Sequence, residues 1–71
     1  MRIKVNTRTL QIIEGACVKN ALLRYFSVKK LDKKLIDGLE VYDAYGHVID
    51  HDAPLHDGQQ ITFKIYEVFY L

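Results

Sequence analysis

The spacing of apolar residues changes twice along this chain, and each change limits the fold. Polar and apolar residues alternate over residues 2–5 and 8–13, on either side of a short polar turn at Asn6 and Thr7. An alternation with a period of two is typical of β-strands, and two such runs joined by a tight turn predict a β-hairpin. The residues predicted to face inward are Ile3, Val5, Leu10 and Ile12.

Residues 16–26 change to a helical period after a break at Glu14 and Gly15. Apolar residues at the spacing i, i+4, i+7 and i+8 form one face of a helix. This face consists of Val18, Leu22, Tyr25 and Phe26, with Ala21 beside them. Residues 27–38 are a basic segment with Leu31, Leu35 and Ile36 at helical spacing, so both a loop and a short second helix remain open.

From residue 39 the alternation returns. It predicts a strand over residues 39–43, a short partner strand over 47–50 and a last strand over 61–69. In the last strand Ile61, Phe63 and Ile65 are expected to face inward. The predicted fold is therefore α+β, with a mixed sheet of four to five strands and one main helix packed on one face.

The size and charge of the chain exclude several classes of protein. At 71 residues it forms one domain, residues 1–71, and its single cysteine, Cys17, cannot form an intrachain disulfide. The N-terminal sequence "MRIKVNTRTLQ" lacks the continuous apolar run of a signal peptide or membrane span. The expected location is cytoplasmic, with no membrane partner. A net charge of +1 gives no overall attraction to nucleic acid.

Four segments in order resemble the β-grasp, or ubiquitin-like, fold. They are "MRIKVN", "IIEGACVKNALLRYF", "VYDAYGHVID" and "APLHDGQQITF". More narrowly, they resemble the sulfur carriers of thiamine and molybdopterin synthesis (ThiS/MoaD-like) and the related TGS domains. The resemblance implies a β-grasp fold over nearly the whole chain, and docking to a protein similar to the enzymes that activate these carriers.

The C-terminus departs from that family. The carriers end in two glycines, and their terminal carboxylate is adenylated and converted to a thiocarboxylate. Counted from Gly58, those glycines would fall near residues 69–70, where this chain has Phe69 and Tyr70, followed by Leu71. Bulky aromatic side chains would block the narrow channel through which a glycine tail reaches the nucleotide. The sequence therefore speaks against the carrier reaction, whereas a TGS-like function needs no glycine tail.

The predicted partner-binding residues lie on the sheet face opposite the helix and in the C-terminal tail. They are Tyr42, Tyr66, Val68, Phe69, Tyr70 and Leu71. Exposed aromatic residues favour a protein interface, and clustered arginines that would favour RNA are absent from the strands. The alternative is that the tail folds back and adds strand pairing to a small core.

A second candidate is an anion-binding surface. Lys29, Lys30, Lys33 and Lys34 form a local basic cluster that could bind phosphate or an acidic partner. The alternative is a solvated face balanced by Asp32 and Asp37, and nucleic acid is not the expected partner.

The histidines and the cysteine have simpler explanations than chemistry. His47, His51 and His56 alternate with Asp50, Asp52 and Asp57, but the spacing matches no compact metal motif, and such residues are common in turns. Cys17 is placed in the first turn of the helix, with no histidine adjacent in sequence to act as a base. We therefore predict no metal site, no cofactor and no catalytic residue.

The sequence thus predicts a non-enzymatic interaction module whose partner is a protein, either one similar to an activating enzyme or a second copy of the chain. Two alternatives remain. One is a genuine sulfur carrier with an atypical C-terminus, and the other is a TGS-like module that binds RNA or a nucleotide.

Overall fold

The structure is a computed structural model and describes residues 1–64. Its elements are β1 (Arg2–Val5), β2 (Arg8–Gln11), helix α1 (Val18–Lys29), a 3-10 helix (Lys33–Gly38), β3 (Val41–Asp43), β4 (Val48–Ile49) and β5 (Gln60–Thr62). This order confirms the predicted α+β class with one main helix.

The five strands form one mixed sheet in the order β2-β1-β5-β3-β4. β1 and β5 lie side by side and parallel, with Val5 opposite Ile61. β2 pairs antiparallel with β1 at one edge, and β3 pairs antiparallel with both β5 and β4 at the other. The first and last described strands are therefore neighbours, which closes the chain around a single core.

The core lies between the sheet and α1. Every inward strand position named above that falls within the described residues is buried, and so is the predicted helix face. The buried side chains of this layer are Ile3, Val5, Leu10, Ile12, Val18, Ala21, Leu22, Tyr25, Phe26, Val41, Ile61 and Phe63. The rings of Tyr25 and Phe63 meet edge to face, with centroids 5.3 Å apart. Each fully buried aliphatic or aromatic side chain contributes about 1.5–3 kcal/mol to folding.

The predicted limits of the helix, residues 16–26, are wrong at both ends. Cys17 is extended rather than helical and forms an isolated bridge with Pro54. The N–H of Val18 donates to the carbonyl of Ala53 over 3.0 Å. The segment before β5 therefore supplies an acceptor for an N–H group that has no partner within the helix. At the other end α1 continues to Lys29, and Lys30 ends it in the left-handed conformation with φ of 57°.

Residues 27–38 contain the end of α1 followed by the short 3-10 helix, so the alternative of a short second helix is correct. Asp32 begins this helix, and its carboxylate accepts a hydrogen bond from the N–H of Lys34 over 2.9 Å. Ile36 is buried against the core, whereas Leu35 remains 47% exposed. Only part of the predicted apolar spacing therefore contacts the core.

The strands of the second half are shorter than predicted. β3 begins at Val41 rather than at residue 39, because the N–H of Leu39 closes the 3-10 helix by donating to the carbonyl of Ile36. β4 has only the two residues Val48 and Ile49. The strand predicted over 61–69 begins one residue earlier, at Gln60, and β5 ends at Thr62, after which the N–H of Phe63 donates to the side chain of Asn6. The predicted positions from Ile65 onward lie outside the described residues.

Candidate protein-binding face

One face of the sheet packs against α1, and residues at alternate positions project from the other. Among residues 1–64, the only helix that packs on the sheet strands is α1. We call the opposite surface the open face. Its members, taken from the strand register, are Arg2, Lys4, Thr9, Gln11, Tyr42, Val48, Gln60 and Thr62.

Tyr42 lies on the open face, as the alternation predicts. It stands between Val48 on β4 and Thr62 on β5, so the three side chains form one row across the sheet. Tyr42 is half-buried, and its hydroxyl donates to Oε2 of Glu40 over 2.6 Å. Val48 is 61% exposed, so an aliphatic side chain faces solvent at this position. This row is the apolar part of the open face.

The other part of the open face is basic. Lys4 pairs with Thr9 on β2 and with Gln60 on β5, and Arg2 lies two residues before it on the same strand. Both cationic side chains are exposed. Arg2, Lys4 and Val48 were not predicted as site residues, although the alternation that identifies inward residues also identifies those that point outward.

A short turn holds Val48 beside Tyr42. Oδ1 of Asp43, at the end of β3, accepts hydrogen bonds from the N–H of Tyr45 and the N–H of His47, over 2.8 and 2.9 Å. The bond from His47 is the main cause of a lowered pKa of the Asp43 carboxyl, because N–H donors stabilise its charged form. Gly46 completes the turn with φ of 83°, a conformation that favours glycine.

The remaining predicted partner-binding residues, Tyr66, Val68, Phe69, Tyr70 and Leu71, lie outside the described residues. Their part in an interface stays a prediction.

The four lysines of the predicted anion-binding surface lie where α1 meets the 3-10 helix. Lys29 and Lys30 end α1, Lys33 and Lys34 begin the 3-10 helix, and all four are exposed. Within residues 1–64 their ammonium groups form no ion pair. The carboxylate of Asp32 instead accepts a backbone hydrogen bond. Direct pairing with nearby aspartates therefore does not balance this charge.

The three histidines have separate partners. His47 is near Asp43, with Nδ1 and Oδ2 3.6 Å apart, and His51 places Nε2 2.8 Å from the carbonyl oxygen of Leu39. The backbone N–H of His56 donates to Oε1 of Gln59. In the described part of the chain, no group of three or more His, Cys, Asp or Glu side chains could hold a metal ion.

Cys17 precedes the helix rather than lying in its first turn. Its thiol donates to Oδ1 of Asn20 over 3.1 Å, and the same oxygen accepts the N–H of Cys17 over 2.9 Å. These contacts give the half-buried Cys17 a role in starting the helix.

No family model, curated protein or solved structure matches this chain. Of the helices within residues 1–64, none combines the length and the apolar composition that crossing a membrane requires.

Proposed function

We propose that this chain is a non-enzymatic interaction module with a β-grasp fold, which binds a protein partner through its open face and its apolar C-terminal tail. The partner is either a protein similar to the enzymes that activate sulfur carriers or a second copy of the chain.

The sheet topology supports the β-grasp part of the proposal. β1 and β5 are parallel at the centre of the sheet, β2 lies beside β1, the β3–β4 pair lies beside β5, and one helix packs on one face. The same arrangement is compatible with the ThiS/MoaD-like relationship that the sequence motifs suggest. Because one fold hosts many functions, the function must be argued from the exposed surface instead.

The observation that carries the function is the row formed by Val48, Tyr42 and Thr62. It joins an exposed aliphatic side chain, a half-buried aromatic ring and a β-branched residue on a face that α1 does not cover. Aromatic and aliphatic side chains surrounded by polar and cationic ones are typical of protein interfaces. Arg2 and Lys4 supply the cationic part, which favours an acidic surface on the partner.

A photo-crosslinking experiment tests this proposal. A photoreactive amino acid replaces Val48 on the open face or, as the matched control, Val28, which is 39% exposed on α1. Both variants are expressed in the native host and irradiated, and crosslinked proteins are identified by mass spectrometry. We expect one partner to be crosslinked from position 48 and not from position 28. Equal crosslinking from both positions, or none from position 48, would contradict the proposal.

A second candidate function is supported by the four lysines. Lys29, Lys30, Lys33 and Lys34 are exposed together and form no ion pair within the described residues, which favours binding of a phosphate group, as in a TGS-like module that contacts RNA or a nucleotide.

Salt dependence separates this candidate from the first. If the lysines bind RNA, its affinity falls steeply with salt, and replacing the four lysines by alanine reduces both the affinity and the salt dependence. A matched control replaces Arg2 and Lys4 on the open face. RNA binding that is absent, or that does not depend on salt, excludes the RNA-binding form of this candidate.

A further inference from the structure

β2 is an edge strand of the sheet. Its hydrogen bonds to β1 show which of its backbone groups point inward, and therefore which point outward. The N-terminal amine of Met1 donates to the carbonyl of Ile12 over 2.7 Å, and the N–H of Ile12 donates back to the carbonyl of Met1 over 2.8 Å. In an antiparallel pair only every second residue pair exchanges both bonds. Counting from this pair, Leu10 and Arg8 bond to β1, whereas Thr9 and Gln11 do not.

The N–H and C=O groups of Thr9 and Gln11 therefore point away from the sheet. Among residues 1–64 they have no hydrogen-bond partner, and β2 has no strand on its outer side. A row of unpaired backbone donors and acceptors is a template for another strand.

This edge is only four residues long, but several of the usual protections against pairing are missing from it. β2 contains no proline, lysine or acidic residue, and the only charge in the strand is that of Arg8. It forms a regular ladder with β1, without a bulge, over the four pairs from Arg2–Gln11 to Val5–Arg8. Natural edge strands usually carry lysine, proline or a bulge to prevent association. Apart from its short length and Arg8, β2 therefore has no feature that opposes pairing with another strand.

We propose that β2 pairs antiparallel with β2 of a second copy of this chain, about a two-fold axis midway between the two Leu10 residues, so that Thr9 of each copy faces Gln11 of the other. In this register the outward N–H and C=O groups of Thr9 and Gln11 form the hydrogen bonds between the two copies. Both residues lie within β2, so no bond requires a longer strand. Arg8 then faces Ile12 of the other copy, so no like charges oppose each other.

A two-fold axis perpendicular to the sheet closes the assembly at two copies. The result is a continuous ten-stranded sheet, since each copy contributes the five strands observed here. Both α1 helices lie on the same side, and the two open faces form one larger surface on the other. This inference rests on the edge of β2 and is independent of the function proposed for the open face.

A pair of double variants tests the register. Thr9→Glu with Gln11→Lys places opposite charges across the proposed interface, whereas Thr9→Glu with Gln11→Glu places like charges there. Within one copy these positions face Lys4 and Arg2, so the second variant gains favourable charge pairs in the monomer and should stay folded. Circular dichroism checks folding, and sedimentation velocity from micromolar to millimolar protein measures the dissociation constant.

We expect the native chain to dimerise. The variant that combines Thr9→Glu with Gln11→Lys should dimerise about tenfold more tightly than the variant that combines Thr9→Glu with Gln11→Glu. Thr9→Pro, which removes one outward N–H and leaves the ladder to β1 intact, should weaken the native dimer. A native chain that remains monomeric at millimolar concentration, or equal dissociation constants for the two double variants, overturns the proposal.

Discussion

The backbone N–H of Arg2 donates to Oδ1 of Asp57 over 2.7 Å, although 55 residues separate them. The carbonyl of Arg2 in turn accepts the N–H of Gly58 over 2.8 Å. These two bonds attach the beginning of β1 to the turn that precedes β5, and they precede the parallel pair of Lys4 with Gln60. The turn thus helps to set the register at the centre of the sheet and on the open face.

Replacing Asp57 by alanine should lower the free energy of unfolding by about 1 kcal/mol, because the N–H of Arg2 loses a charged acceptor. Asp57→Asn keeps an acceptor oxygen and should cost less. Urea unfolding measures the difference, with Asp52→Ala as a control at an exposed aspartate of the preceding loop. Equal stability of Asp57→Ala and Asp52→Ala would show that this bond does not contribute.

Asn6 connects the same two strands at their other end. It adopts φ of 56°, its N–H donates to the carbonyl of Ile61 over 2.9 Å, and its side-chain oxygen accepts the N–H of Phe63 over 3.0 Å. Asparagine tolerates this left-handed conformation better than most residues. One residue therefore supplies both the turn of the hairpin and a contact to the end of β5.

Two substitutions separate these roles of Asn6. Asn6→Gly keeps the backbone conformation and loses the bond to Phe63, which should cost about 1 kcal/mol. Asn6→Ala also loses this bond, and its Cβ disfavours the left-handed conformation, so it should cost about 1–2 kcal/mol more than Asn6→Gly. Thermal unfolding of the three proteins gives the order. If the Asn6→Ala and Asn6→Gly proteins unfold at the same temperature, the left-handed conformation at position 6 does not disfavour alanine as expected.

The alternation of residues predicted which side chains of the strands face the core. Ile3, Val5, Ile61 and Phe63 are all buried where a period of two places them. The same pattern placed Tyr42 on the opposite face. Periodicity works here because a strand residue can point to only two sides, and the buried side must be apolar.

The sequence could not predict features that depend on contacts distant along the chain. Cys17 is outside α1 because its segment pairs with Pro54, which lies 37 positions later (54 minus 17). The last turn of α1, up to Lys29, is exposed and therefore carries no regular spacing of apolar residues that would predict it. Lys30 ends the helix in a left-handed conformation that is usually occupied by glycine, so the sequence does not indicate this end. The grouping of Arg2 with Tyr42 on the open face likewise required the strand order.

The C-terminal tail should be needed for binding but not for folding. Deleting residues 69–71 removes three bulky side chains from the proposed interface. We expect the truncated protein to lose binding to the crosslinked partner and to unfold at nearly the same temperature. A large drop in that temperature would instead support the alternative in which the tail packs on the domain.

The most direct test of the account is the affinity of the purified partner for two matched variants. Val48→Asp introduces a charge into the row beside Tyr42, and Val28→Asp introduces the same charge on α1. Isothermal titration calorimetry should show binding weakened at least about tenfold by Val48→Asp, because an unpaired charge is buried in the interface, and almost unchanged by Val28→Asp. Equal affinities for the two variants would contradict a function through the open face.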